Sequence, residues 1–271
     1  MPNREPPEWG DDALSKYFRM AEYNDRAFVA NYPQIFDLLK RANAALEAAE
    51  TLAHRDVDPI LLIPRFLLVR VRSACLAACR LALSGQLVEA HAVLRVAIEE
   101  AWYALHIAKQ PPLPAPLPNQ PPALPRWEIW LRRTDDATAK QRCKTEFTVK
   151  NVRTTHEQVD AATAGELQKL YETLIDFGAH PNEQGLLAAM VKNEREREIE
   201  YQVAILAPHE LPLMMTLRLA NGVAVGALKV FQRIFPERFE LMNLDVTIDG
   251  LVASLNTDFR AWVPRDDELH P

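Results

Sequence analysis

The length, composition and charge of the chain set broad limits on its class. It has 271 residues, of which 48% are hydrophobic and 25% are charged; these ordinary values exclude an intrinsically disordered protein. The net charge of −6 argues against a general nucleic-acid coat or a protein bound to an anionic membrane. Only 8 glycines, together with abundant alanine and leucine, favour helices over sheets.

The cysteines and the N-terminus indicate where the protein works. Three cysteines, Cys75, Cys79 and Cys143, form no C-x-x-C pair, which fits a reducing cytosol. Cys75 and Cys79 lie one helical turn apart in an apolar segment, so they are expected to be buried small hydrophobes, with a metal or redox pair as the alternative. No signal peptide is visible, and no window approaches the roughly 18–20 uncharged apolar residues of a membrane span. We therefore expect a cytoplasmic protein without a membrane segment.

Two helices are predicted in the first part of the chain. Residues 1–10 are expected to form a flexible tail, after which Asp11 or Asp12 can cap a helix that continues to about Tyr32. Pro33 suits the first turn of a second helix. Both helices belong to a single helical domain, which we predict to span residues 11–263.

The next two helices are predicted to form an antiparallel hairpin. Asp58-Pro59 combines an N-cap with proline at the first helical position, and the helix that follows is apolar around most of its circumference, as expected at the centre of a bundle. Gly85 is a plausible left-handed stop, and residues 86–109 form a fourth helix with a continuous apolar stripe. The turn is so short that the two helices must pack antiparallel.

A proline-rich segment, residues 111–125, follows the hairpin, and we expect it to cross the surface in an extended form. Further helices are predicted over 127–148, 149–164, 165–177, 211–235 and 246–262, with a short strand or hairpin possible within 195–206. Residues 264–271 are expected to form a second flexible tail. The predicted fold is all-α, an irregular bundle built around the hairpin, with at most one short β-hairpin.

A ridge of polar side chains runs along the fourth helix. Arg95, Glu99, Trp102 and His106 follow one another at spacings of three or four residues and so lie along one side. One interpretation is an exposed ion pair with a surface or interfacial histidine. The other is a polar pocket at the edge of the bundle, completed by His180, in which a carboxylate and two histidines could hold a metal or perform acid–base chemistry. No E-x-x-H or H-E-x-x-H spacing is present, so no metal or cofactor is expected.

Arginines on the third helix need partners, because a guanidinium on a core helix is costly unless it is paired. Arg72 is the central one, and we favour a structural pair with Glu99 or Glu100 of the opposite helix over an anion site. The full set of candidate pocket residues is Arg72, Arg95, Glu99, Tyr171 and His180.

A basic segment and a glycine pair are two further features. Between Arg126 and Arg153, lysine and arginine outnumber aspartate and glutamate by eight to four; with Trp127 and Trp130, this composition is typical either of a solvated helix face or of a surface for single-stranded nucleic acid. The net charge of the whole chain disfavours nucleic acid. Gly222 and Gly226 form G-x-x-x-G, which indicates close helix packing in the core or at a dimer interface.

The segments 94–102 and 170–182 resemble a loose group of uncharacterised bacterial helical proteins related to HEPN domains. In that group, a helix with an Arg-x-x-x-Glu step is followed downstream by a tyrosine-containing helix that ends in a His-Pro or similar corner. The matching residues here are Arg95, Glu99, Tyr171 and His180. The resemblance covers about residues 60–185 and implies a helical bundle with no established activity.

Ribonucleolytic members of the HEPN group carry an arginine and a histidine separated by four to six residues, often with Asn, His or Asp directly after the arginine. One literal match is present, Arg265 followed by Asp266 and then His270. It departs from the family because it lies beyond Pro264 in an acidic tail with no helix after it.

Three function classes remain open at this point. The first is a non-catalytic cytosolic protein that binds a partner protein or assembles as a homo-oligomer, in the simplest case a dimer. The second is a HEPN-type ribonuclease or phosphodiesterase that uses Arg265 and His270. The third is a small-molecule or anion binder that uses the polar pocket. We expect the first.

Overall fold

Long helices dominate the computed structural model, which describes residues 8–53, 58–115, 123–179, 183, 190–195, 198–203, 205–206 and 210–257. The architecture is an all-α helical bundle with one small strand pair, as predicted. Residues 1–7, 116–122 and 258–271 are outside the described part, so the predicted tail over 264–271 is also outside it. The described residues 111–115 and 123–125 have no regular secondary structure.

The first two helices begin where the sequence predicts. Helix α1 spans Ala13–Asn31, and the Asp12 carboxylate accepts hydrogen bonds from the backbone N–H groups of Leu14 and Ser15, which satisfies two donors that the helix itself leaves free. Helix α2 spans Pro33–Ala53. Ahead of them, the Trp9 ring stacks on Phe18 with the ring centroids 4.9 Å apart, so the end of the predicted tail contacts α1.

The central hairpin consists of α3, Pro59–Ser84, and α4, Leu87–Ala108. Asp58 caps α3 by accepting a hydrogen bond from the N–H of Ile60. Gly85 adopts φ 99°, a left-handed conformation that residues with a Cβ adopt only with strain. The two helices share the most extensive contact in the bundle.

The segment predicted as one helix over 127–148 consists of two. Helix α5 spans Arg126–Arg132 and α6 spans Ala137–Glu146. Asp136 separates them because its backbone is extended, which interrupts the helix. Its carboxylate caps α6 by accepting hydrogen bonds from the N–H groups of Thr138 and Ala139. A side chain that can cap competes with a continuous helix.

The next helices also differ from the prediction in their boundaries. Helix α7 spans Val149–Val159 and α8 spans Ala161–Leu174, so Gly165 lies inside α8 and does not start it. A π-helical turn, Ile175–Ala179, follows. A Cβ on Gly178 would collide with the backbone oxygen of Val88 and lie 2.9 Å from the Cβ of His91, so glycine is required for this turn to pack on α4.

The last elements are a strand pair and three helices. Strands β1, Met190–Arg195, and β2, Glu198–Val203, pair antiparallel with Met190 opposite Val203, so the hairpin starts a few residues before the predicted range. Helix α9 spans Glu210–Ile234, α10 spans Pro236–Leu241 and α11 spans Leu244–Thr257. The final predicted helix thus starts two residues earlier than expected, and a short helix precedes it; its predicted end over 258–262 lies outside the described residues.

The hairpin is enclosed on several sides. Helix α9 contacts α3, α4, α2, α8 and α11, whereas α7, α8 and the π-turn cover another side of α4. One described helix, over Leu211–Ile234, is long and apolar enough to cross a membrane by length and composition alone. Within its 18-residue apolar window, 61% is buried inside the protein, and a buried core helix meets the same criteria.

Candidate functional site

The polar ridge of α4 packs against α7 and α8, with Trp102 and His106 buried and Arg95 and Glu99 about a quarter exposed. Trp102 donates from Nε1 to Nδ1 of His156 at 3.1 Å, and Nδ1 of His106 lies 2.7 Å from Oγ1 of Thr155. Trp102, His106 and His156 are each 2% exposed or less. Trp102 and His106 therefore bond to side chains of α7, while Nε2 of His106 and Nε2 of His156 have no hydrogen-bond partner among the described residues.

The third contact of the ridge is made by α8. The hydroxyl of Tyr171 donates to Oε1 of Glu99 at 2.9 Å, and Nε of Arg95 lies 3.5 Å from the same oxygen. The ring of Tyr171 also packs on Trp102, with centroids 5.0 Å apart. We call this set the polar seam; it consists of Arg95, Glu99, Trp102, His106, Thr155, His156 and Tyr171.

Burial makes the polar seam unsuited to proton transfer near neutral pH. It lowers the pKa of His106 to about 4, with help from the nearby charge of Arg126, and it lowers the pKa of His156 to about 4. Burial and the hydrogen bond to Glu99 raise the pKa of Tyr171 to about 12. A general acid or base works best with a pKa near the operating pH, so these groups are poorly matched to catalysis.

The predicted pocket is only partly assembled. Arg95, Glu99 and Tyr171 converge in the polar seam, whereas Arg72 lies elsewhere and His180 lies outside the described residues. The motif residues Arg265 and His270 are outside them too. Among the residues that the structure describes, no three His, Cys, Asp or Glu side chains are placed to hold a metal ion.

Arg72 is in a structural pair, but the predicted partner is wrong. Its guanidinium lies 3.1 Å from Glu47 and 2.9 Å from Glu50, both on α2. Glu100 is instead 3.0 Å from Arg70. The two arginines are two positions apart, which places them about 200° apart around the helix, so Arg72 faces α2 and Arg70 faces α4.

A cavity of about 300 Å³ opens between α2, α3 and α9. We call it the α2–α3–α9 groove. Most of its lining is apolar or small; the lining residues are Phe36, Leu39, Lys40, Ala42, Asn43, Leu46, Cys75, Leu76, Cys79, Arg80, Leu83, Ala220, Asn221 and Ala224.

Asn221 is the buried polar group of this groove. Its side chain is 1% exposed, its Nδ2 donates to the backbone oxygen of Leu217 at 3.0 Å, and its Oδ1 has no hydrogen-bond partner. A buried acceptor left unpaired costs about 1–3 kcal/mol. The groove is therefore an apolar cavity, and one of its lining residues has an unsatisfied buried acceptor.

The charged side chains of the groove are already neutralised. Lys40 lies 3.0 Å from Asp37, and Arg80 pairs with Asp25, a carboxyl group whose pKa burial raises. The two cysteines are not nucleophiles, because burial raises the pKa of Cys75 and raises that of Cys79 to about 11, and the thiol form is unreactive. Cys75 is the small buried hydrophobe that the sequence predicts, whereas Cys79 is only half-buried.

The glycine pair of α9 faces a different direction from Asn221. A Cβ on Gly226 would lie 2.8 Å from Cδ1 of Leu167, and one on Gly222 would lie 3.4 Å from Cδ1 of Leu170. Both glycines therefore pack against α8 of the same chain. This close packing was one of the two interpretations of the motif, and it removes the glycine face as an argument for a dimer.

The sequence analysis identified five of the seven polar-seam residues and missed the groove. Thr155 and His156 carried no pattern of their own. Asn221 did carry a signal, because it is an amide within the apolar run LANGVAVGAL, and a buried polar side chain needs an explanation.

No family model matches the chain, and no curated protein or solved structure is significantly similar to it.

Proposed function

We propose that this protein is a non-catalytic binding protein that holds a small, uncharged, largely apolar molecule in the α2–α3–α9 groove. The observation that carries the proposal is an apolar cavity lined in part by Asn221, whose buried Oδ1 has no hydrogen-bond partner. A ligand with one hydroxyl or N–H donor would satisfy this oxygen once the amide turns toward the cavity, while its apolar body would cover the surrounding leucine, alanine and cysteine side chains.

The size and chemistry of the groove support a small organic ligand. Its volume of about 300 Å³ is at the lower end of the range of small-molecule sites, which are mostly apolar with a few placed polar groups. Asn221 supplies such a polar group. Because Lys40 and Arg80 each have a carboxylate partner, the groove offers no free cation, so an uncharged ligand fits better than an anion.

The test uses two probes that differ in one donor. Indole has an apolar body and an N–H group, whereas benzofuran has nearly the same shape and no donor. We expect indole to bind more tightly by about tenfold, the equivalent of one hydrogen bond to a buried acceptor. Isothermal titration calorimetry measures both affinities.

A pair of variants locates the binding. Asn221→Leu removes the acceptor and should abolish the preference for indole. Asn31→Leu is the matched control, because Asn31 makes the same type of side-chain bond to the carbonyl four residues earlier but is exposed on α1, away from the groove. Equal binding of indole and benzofuran to the unchanged protein, or no binding of either, would overturn the proposal.

The cellular setting and the assembly state are separate proposals. The free cysteines Cys75, Cys79 and Cys143 support a reducing compartment such as the cytoplasm. Assembly as a dimer and binding of a protein partner stay predictions, and a monomer by light scattering at micromolar concentration would rule out the dimer.

The HEPN-type alternative also stays a prediction, and a ribonuclease assay of the His270→Ala variant tests it.

A further inference from the structure

A second cavity, of about 430 Å³, lies where α4, the end of α5 and α6 meet. It collects part of the basic segment that the sequence singled out. Arg133, Lys140 and Lys144 line it, together with the ring of Trp130 and the hydroxyl-bearing side chain of Thr134. It shares no lining residue with the α2–α3–α9 groove.

The cations of this cavity have no acidic partner among the described residues. Three nearby carboxylates are engaged elsewhere, since Glu128 lies 2.5 Å from Arg132, Glu146 lies 2.8 Å from Arg142, and Asp136 caps α6. Asp135 also follows Thr134 in the chain, but it does not line the cavity. By contrast, no ion pair within 4.0 Å involves Arg133, Lys140 or Lys144 in the part of the chain that the structure describes. The lining of the cavity therefore carries a formal charge of +3.

The arrangement of these cations is unfavourable without an anion. Lys140 and Lys144 are four residues apart on α6 and so lie on the same face, where two like charges repel each other. The guanidinium of Arg133 lies over the ring of Trp130, 4.5 Å from its centroid, and this stacking holds its donors in one orientation. An anion between the three groups would relieve the repulsion and use the oriented donors.

We propose that this cavity binds the phosphate group of a phosphate monoester. A monoester phosphate carries close to two negative charges at neutral pH and three strong acceptor oxygens. Three cations and the hydroxyl-bearing Thr134 that line one cavity match both properties, and charge-assisted bonds to phosphate are among the strongest in proteins. The volume leaves room for an organic group attached to the phosphate.

The test compares adenosine monophosphate, adenosine and inorganic phosphate by isothermal titration calorimetry. We expect adenosine monophosphate and inorganic phosphate to bind, with affinities that fall as salt concentration rises, and adenosine not to bind. The Lys140→Gln/Lys144→Gln double variant should weaken phosphate binding by about tenfold or more. Both lysines are exposed, so the fold should survive.

The control variant is Lys150→Gln, which removes an exposed lysine of the same basic segment that does not line the cavity. It should change the affinity by less than about twofold. Equal binding of adenosine and its monophosphate, or an unchanged double variant, would overturn the proposal.

A further pair of ligands separates a free phosphate monoester from a nucleic-acid strand. A single-stranded RNA with a 5′-phosphate and the same RNA with a 5′-hydroxyl should differ, with the phosphorylated strand bound more tightly. If both strands bind equally well and adenosine monophosphate does not bind, the cavity recognises the phosphodiester backbone, and the monoester assignment is wrong.

Discussion

The polar seam and the α2–α3–α9 groove both contain buried polar side chains with an unpaired atom, but they differ in what surrounds that atom. In the polar seam, Trp102, His106 and Tyr171 each bond to a partner on another element. The unpaired seam atoms, Nε2 of His106 and Nε2 of His156, belong to helices that pack on each other. In the groove, Asn221 has an oxygen with no partner and is one of the residues that line a cavity. An unpaired polar group therefore indicates a ligand site only where a cavity adjoins it.

The largest expected effect is on the polar seam, through Trp102→Ala. This change removes a fully buried ring and leaves Nδ1 of His156 without its donor. We expect the free energy of unfolding to fall by about 3–5 kcal/mol, measured by urea denaturation. Trp9→Ala is the control, because Trp9 is 49% exposed. An equal loss of unfolding free energy in both variants would show that the polar seam does not stabilise the fold more than an exposed tryptophan does.

The second effect is a loss of stability in acid. The pKa of His156 is about 4 in the folded protein and about 6.5 when unfolded, so protonation favours the unfolded chain. Stability from this histidine is complete above about pH 6.5 and is lost as the pH falls towards 4, by roughly 2–3 kcal/mol. His156→Gln keeps an acceptor for Trp102 but does not titrate, so its unfolding free energy should fall less steeply over this range. If the unfolding free energy depends on pH in the same way in both proteins, the assignment of His156 as a buried neutral histidine is wrong.

Much of the fold was predictable because its signals are local. Asp12, Pro33, Asp58 and Gly85 each act on their own turn of backbone, and the helix boundaries beside them agree with the prediction. The wrong boundaries fall where a local signal competes with another, as when Asp136 caps a new helix inside a predicted one.

The candidate site was less predictable because it depends on which elements become neighbours. The ridge of α4 is visible in the sequence, but the helix that covers it is not, so its partners on α7 could not be named. Arg72 shows the same limit: its need for a carboxylate was clear, whereas the choice of α2 over α4 follows only from the packing.

A third, smaller effect is expected from Tyr171→Phe, which removes the hydroxyl that bonds to Glu99. Glu99 keeps Arg95 nearby and its side chain is 26% exposed, so the loss should be about 1 kcal/mol. Thermal unfolding followed by circular dichroism measures it. Tyr23→Phe, at a 67% exposed tyrosine, should have no measurable effect. If the two variants lose the same stability, the hydrogen bond from Tyr171 to Glu99 does not stabilise the polar seam.

The smallest effect on stability is expected in the groove. Asn221→Leu removes an unpaired buried acceptor and adds apolar surface, while it loses one bond to Leu217. These contributions oppose each other, so the free energy of unfolding without ligand should stay within about 1 kcal/mol of the original or rise. A loss as large as that of Trp102→Ala would mean that Asn221 is structural, like the seam residues.

The most direct test of the account is the affinity for indole in Asn221→Leu and Tyr171→Phe, measured side by side by calorimetry. We predict that Asn221→Leu binds about tenfold more weakly and that Tyr171→Phe binds as the unchanged protein does. Weakened binding in Tyr171→Phe with full binding in Asn221→Leu would contradict the account, because it would place the ligand at the polar seam.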